Sequence, residues 1–137
     1  MEQALVEYIL KQHAEADAWM AATPGSWMGK LVDPSDTEYW TQRVPSGTLK
    51  EFQRIELEED AYYTIAEAYS KSYARAHDFS TMTDAELMAE IDSASKVITC
   101  EIEHEKEEKA EEEARLEKLA SSLEIDRETL DRWMEAA

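Results

Sequence analysis

The 137-residue chain has one cysteine, Cys100. No intrachain disulfide can form, and nothing in the sequence calls for an oxidising compartment. Proline and glycine are nearly as scarce, three of each, and all six fall between Pro24 and Gly47. Elsewhere the backbone carries no obligatory helix breaker. No segment approaches the roughly 18 consecutive apolar residues of a membrane span. The N-terminal MEQALVEYIL lacks both the basic start and the long apolar run of a signal peptide, so a cytoplasmic location without membrane contact is expected. Strand signals are missing too. The best candidate, Lys30-Leu31-Val32, is too short to matter, and the expected fold class is all-α.

Basic residues are the other shortage. The chain holds 14 Lys and Arg against 32 Asp and Glu, a formal net charge of −18. Residues 81–137 alone carry 18 acids and 7 bases, so the excess sits in the C-terminal part. Such a field repels nucleic acid and anionic membranes and attracts basic proteins from beyond contact distance. The hydrophobic fraction, 43%, is that of an ordinary globular protein, so a packed core is expected beside the charge.

Apolar residues at helical spacing place a first helix over 2–21, through Leu5, Ile9, Ala16 and Trp19. The Pro/Gly-rich connector 23–47 follows. Within it Asp33-Pro34 reads as a helix start, giving a short helix over 34–43. Thr48-x-x-Glu51 and Thr83-x-x-Glu86 are capping boxes. They open helices expected over 48–77 and from 83 onward, and the short link between them predicts antiparallel packing. The second helix carries an apolar stripe at Leu87, Ile91, Ala94, Ile98 and Ile102, then the acidic run EHEKEEKAEEE. The expected organisation is thus an antiparallel helical bundle over 1–105. An acidic helix extension and a C-terminal helical hairpin occupy 106–137.

Few groups point to chemistry. Glu101-x-x-His104 has the spacing of one half-site of a di-iron bundle, but His13 and His77 lack an acid three positions before them. Cys100 sits among acids, which disfavour a thiolate, and no glycine-rich phosphate loop is present. No metal, cofactor or enzymatic activity is expected. The residues left for function are the carboxylates Glu103, Glu105, Glu107, Glu108, Glu111, Glu112 and Glu113. Opposite-charge pairs Glu105–Lys109, Lys109–Glu113 and Glu111–Arg115 at i,i+4 would hold them on a solitary helix. Trp27, Tyr39 and Trp40 are candidate apolar anchors for a protein partner; the alternative is that they close the end of the bundle.

The tail, LEKLASSLEIDRETLDRWMEA, resembles a helix-turn-helix. Leu119 and Ala120 match its first helix, Leu123 and Ile125 its turn, and Leu130 and Trp133 the inward positions of its second helix. The resemblance implies that Arg127, Glu128, Thr129 and Arg132 lie on or beside a groove-reading face. The segment departs from the pattern at Glu124, where a glycine usually takes a left-handed backbone, and in its acidic balance.

The function expected from these features is non-enzymatic. A small acidic protein of this kind would bind and inhibit a basic, nucleic-acid-binding protein by presenting carboxylates in place of phosphates. Phage counter-defence inhibitors, such as anti-CRISPR and anti-restriction proteins, are of this type. Two alternatives are a helix-turn-helix DNA-binding regulator and an assembly protein that self-associates, for instance as a homodimer, through the 48–102 seam.

Overall fold

The computed structural model describes residues 1–136, in which six α-helices and one 3-10 turn are present and no strand. The helices are α1 (Gln3–Ala22), α2 (Thr37–Arg43), α3 (Leu49–Ala68), α4 (Lys71–Arg75), α5 (Asp84–Ser122) and α6 (Arg127–Ala136). The described residues form an all-α fold, as expected from the sequence.

The central element is α3. Its N-terminal half contributes Phe52 to a core built with Leu5 and Ile9 of α1, Trp40 of α2, and Val44. Its C-terminal half contributes Ile65 and Ala68 to a second core with Ala74 of α4 and Ala94 of α5. Each large side chain fully removed from water there is worth about 1.5–3 kcal/mol, so one helix holds both cores. It starts where the Thr48 side chain accepts the Glu51 amide hydrogen bond, the first half of the expected capping box. The chain terminus reinforces that start. Glu2 donates its backbone N–H to the Gly47 carbonyl at 2.8 Å, and its carboxylate accepts from the Leu49 amide at 3.1 Å. Gly47 adopts φ +67, and a Cβ there would stand 3.2 Å from the Met1 backbone, so this close approach needs glycine.

The helix expected over 48–77 is broken. It ends at Ala68, Tyr69 leaves helical geometry, and Ser70 takes extended backbone while its hydroxyl accepts the Tyr73 amide to start α4. A serine N-cap competes well with helix continuation because it satisfies an otherwise orphan N–H. The break reverses the chain. Through α4 and the 3-10 turn Phe79–Thr81 it returns along α3 to the side of Arg54. There the Arg54 guanidinium donates to the Phe79 and Met82 carbonyls and meets Asp84 at 2.6 Å.

Consequently α5 runs parallel to α3, not antiparallel. Arg54 meets Asp84 near the start of both helices, and Ile65 and Ala68 meet Ala94, Val97 and Ile98 further along both. The neighbour α1 also runs with α3 where they touch, pairing Glu2 with Leu49 and Tyr8 with Phe52. Antiparallel pairing occurs where α4 folds back on α3 and where α6 folds back on α5.

The connector is tied to α1 by side chains. Gln12 bonds the Gly29 carbonyl and the Leu31 amide, His13 contacts the Leu31 carbonyl, and Lys30 pairs with Asp17 at 2.7 Å. The short helix begins at Thr37, capped by Asp36, three residues after the expected start. Asp33 instead closes a turn, accepting the Ser35 amide at 2.8 Å and the Asp36 amide at 3.0 Å.

Candidate protein-interaction surface

Helix α5 opens with the threonine half of the expected capping box: the Thr83 hydroxyl accepts the Glu86 amide at 3.1 Å and donates to the Glu86 carboxylate at 3.2 Å, in place of the Thr83 backbone N–H. Leu87 and Ala94 are buried, Ile91 and Ile98 are half-buried, and Ile102 is half exposed. The apolar stripe therefore ends at Ile98, and the helix leaves the body before residue 105. From Thr99 to Arg115 every residue is exposed, about 25 Å of helix with solvent on all sides.

This free rod carries all seven expected carboxylates, Glu103, Glu105, Glu107, Glu108, Glu111, Glu112 and Glu113, together with Glu101. Eight carboxylates between Glu101 and Glu113 span about 20 Å, one per about 2.4 Å of axis. The density lies between one charge per about 1.7 Å in duplex DNA and about 3.4 Å in a single strand. Local pairing differs from expectation. Arg115 turns to Glu112, bonding it at 2.7 and 2.9 Å and holding its carboxyl below the usual range, while Glu111 is left to solvent. His104 meets Glu108 at 2.9 Å, on an exposed face. Among the described residues no group of three or more His, Cys, Asp and Glu is placed to hold a metal ion.

At the distal end α5 closes in a left-handed cap. Glu124 takes φ +56, the Glu124 N–H donates to the Ser121 carbonyl at 3.2 Å, and the Ile125 N–H reaches the Ala120 carbonyl at 3.1 Å. These are the two bonds of a Schellman motif. The turn geometry of the helix-turn-helix resemblance is thus present without the glycine. Asp126 then caps α6, accepting the Thr129 amide at 2.7 Å; the Thr129 hydroxyl and amide hold its carboxyl below the usual range. Leu116, Ala120 and Leu130 form a small core with Ile125 against it.

Arg127 seals one flank of this hairpin. Its guanidinium bonds Glu113 at 2.6 and 3.1 Å, Glu117 at 3.1 Å and Asp131 at 2.8 Å. The bonds to Glu113, then to Asp131, raise its pKa, so its charge is permanent and locally neutralised. Of the residues that the resemblance assigns to a groove-reading face, Arg127 is a clamp and Thr129 a capping partner; Glu128 and Arg132 are exposed.

The aromatic candidates separate. Trp40 is only 3% exposed, and its indole N–H lies between the Val32 and Asp33 carbonyls at 3.2 and 3.0 Å. It is a core residue and not a surface anchor, because a tryptophan beside two backbone acceptors is more stable buried than wet. Tyr39 stands edge-on to it at the surface, and Trp27 is 81% exposed. Tyr39 rests on Trp40 at the N-terminal half of α3, and the rod departs past the other half, about 25 Å further along. The carboxylates and Tyr39 do not form one surface.

A cavity of about 160 Å³ lies between α2 and the N-terminus, lined by Met1, Trp40, Val44 and neighbours. It is smaller than the roughly 300–1,000 Å³ usual for ligand sites, and no carboxylate, imidazole or thiol lines it. No family model matches the chain, and no curated protein or solved structure is significantly similar to it.

Proposed function

We propose that this protein is a non-enzymatic inhibitor that engages a basic, nucleic-acid-binding protein, with the acidic rod of α5 taking the place of a phosphate backbone. The observation that carries this reading is the solitary helix from Thr99 to Arg115, exposed on every side and carrying eight glutamates against two lysines and one arginine. A chain with a complete core elsewhere has no packing use for such a rod. Its line density of carboxylates matches that of nucleic acid to within a factor of two. A phage counter-defence role, against a CRISPR or restriction nuclease, is the biological setting that fits such an inhibitor.

Direct DNA reading through α6 draws little support, since Arg127 is spent on three carboxylates and the surrounding field repels phosphate.

Affinity capture from the native host lysate at low and high salt, followed by mass spectrometry, tests the proposal. The partner is expected to be basic, lost at high salt and displaced by nucleic acid. Changing Glu107, Glu108, Glu111 and Glu112 together to lysine should weaken capture at least tenfold. Unchanged capture by that variant refutes the mimic.

A further inference from the structure

The hairpin at the distal end of the rod is sealed on one flank only. Arg127 of α6 meets Glu113 and Glu117 of α5 on one side of the Leu116–Ala120–Leu130 seam. At 100° per residue, Leu119 and Leu123 lie on the opposite side of that seam on α5. Because α6 runs antiparallel, Trp133 falls on the same opposite side. All three are exposed, Trp133 at 56%. Two helices that contribute only one buried leucine each make a thin core, and this apolar flank is its unfinished part.

The flank continues along α5 without a change of face. Glu101, Glu105, Glu108, Glu112, Leu119 and Leu123 recur at helical spacing within a sector of about 60°. One continuous stripe, about 33 Å long, therefore presents carboxylates over its first half and leucines, walled by Trp133, over its second. A second copy laid along the stripe in the same direction would set one acidic row beside another, and in the opposite direction carboxylates against leucines, in molecules that each carry −18. The complementary occupant is a basic amphipathic helix, with Lys or Arg along one half of its face and apolar side chains along the other.

We infer that the stripe from Glu101 to Leu123, with Trp133, is the docking face for a basic amphipathic helix of the partner protein. The inference rests on the basic-partner reading above and adds the apolar end as the source of specificity. Salt-screened charge supplies attraction along the rod, and the leucine and tryptophan end sets the register.

The test uses the full chain and two synthetic peptides of about 20 residues, long enough to cover the stripe. One is a lysine–leucine helix with that face pattern, and the other is its scrambled isomer of identical composition. Binding is measured by calorimetry at about 0.15 M salt, where exposed charges act over only ~8 Å. The patterned peptide is expected to bind at least tenfold tighter than the scrambled one. In the Leu119→Ser, Trp133→Ser double variant that preference should vanish while scrambled-peptide binding persists. If circular dichroism shows the double variant losing helix, Trp133→Ser alone, altering a side chain already more than half exposed, should reduce the preference about threefold. Equal affinities for the two peptides, or a preference that survives the substitutions, overturn the apolar docking face and leave the electrostatic reading standing. Failure of both peptides to bind at low salt overturns both. A native dimer that the double variant converts to monomer assigns the face to a second copy and overturns the inference.

Discussion

Substituting Glu124 by glycine isolates the turn that holds the distal hairpin. The residue adopts φ +56, where an L side chain crowds the adjoining carbonyl. That conformation costs about 1–2 kcal/mol. Glycine removes the crowding but is freer in the open chain, which takes back about 0.5–1 kcal/mol. The net is about 0.5–1 kcal/mol in favour of the closed hairpin, a gain of about two- to fivefold in its closing equilibrium. Global melting would blur this, since the cores around α3 share no side chain with Leu116, Ala120 and Leu130. Native-state amide hydrogen exchange resolves it: protection at α6 amides such as Leu130 and Asp131 should rise by that factor, while α3 amides stay unchanged. Glu124→Ala is the control. It removes the same carboxylate but keeps the Cβ, so no comparable gain is expected. Equal protection in the two variants would mean that charge, and not backbone geometry, limits the turn. A loss of protection in Glu124→Gly would refute the left-handed cap altogether.

Trp40→Phe keeps an aromatic ring in the core but removes the donor shared by the Val32 and Asp33 carbonyls. A cost of about 2 kcal/mol is expected, read by chemical denaturation as a lower midpoint with unchanged slope. Unaltered stability would show that water satisfies both carbonyls. Glu56 lies against Tyr8, and burial, followed by the charge of Asp60, raises its pKa above the ordinary 4.5. A carboxyl whose folded pKa is raised contributes stability below its unfolded pKa, and that contribution is lost as pH rises through the folded value. Glu56→Gln should therefore raise the melting temperature at pH 7, and the gain over the native chain should disappear below about pH 4. A gain that persists at low pH would point to packing and not to charge.

Sequence alone determined the helical class, the two threonine N-caps and the acidic rod. These are properties of short segments: a threonine and a glutamate three residues apart satisfy local N–H groups, and eleven residues without a large apolar side chain have nothing to bury. The exposed rod follows from that composition wherever the body lies. Helix direction was not legible in this way. The stripe over 48–77 has the same period on either side of Ser70, and only packing of Ala74 against Ile65 and Ala68 shows the chain turning back there. That reversal makes α5 parallel to α3. The serine was the one available signal, and a serine inside a helical pattern is ambiguous until tertiary contacts reward the break. Trp40 and Trp27 likewise look alike in sequence. The Val32 and Asp33 carbonyls bury one and leave the other in water. The hairpin flank was hidden for a related reason. Which leucines of a stripe are covered depends on how the second helix rolls onto the first, and here the pairing of Arg127 with Glu113 and Glu117 sets that roll. The chemistry of the surface was written in local composition, and the face it forms was decided by contacts between residues far apart in the chain.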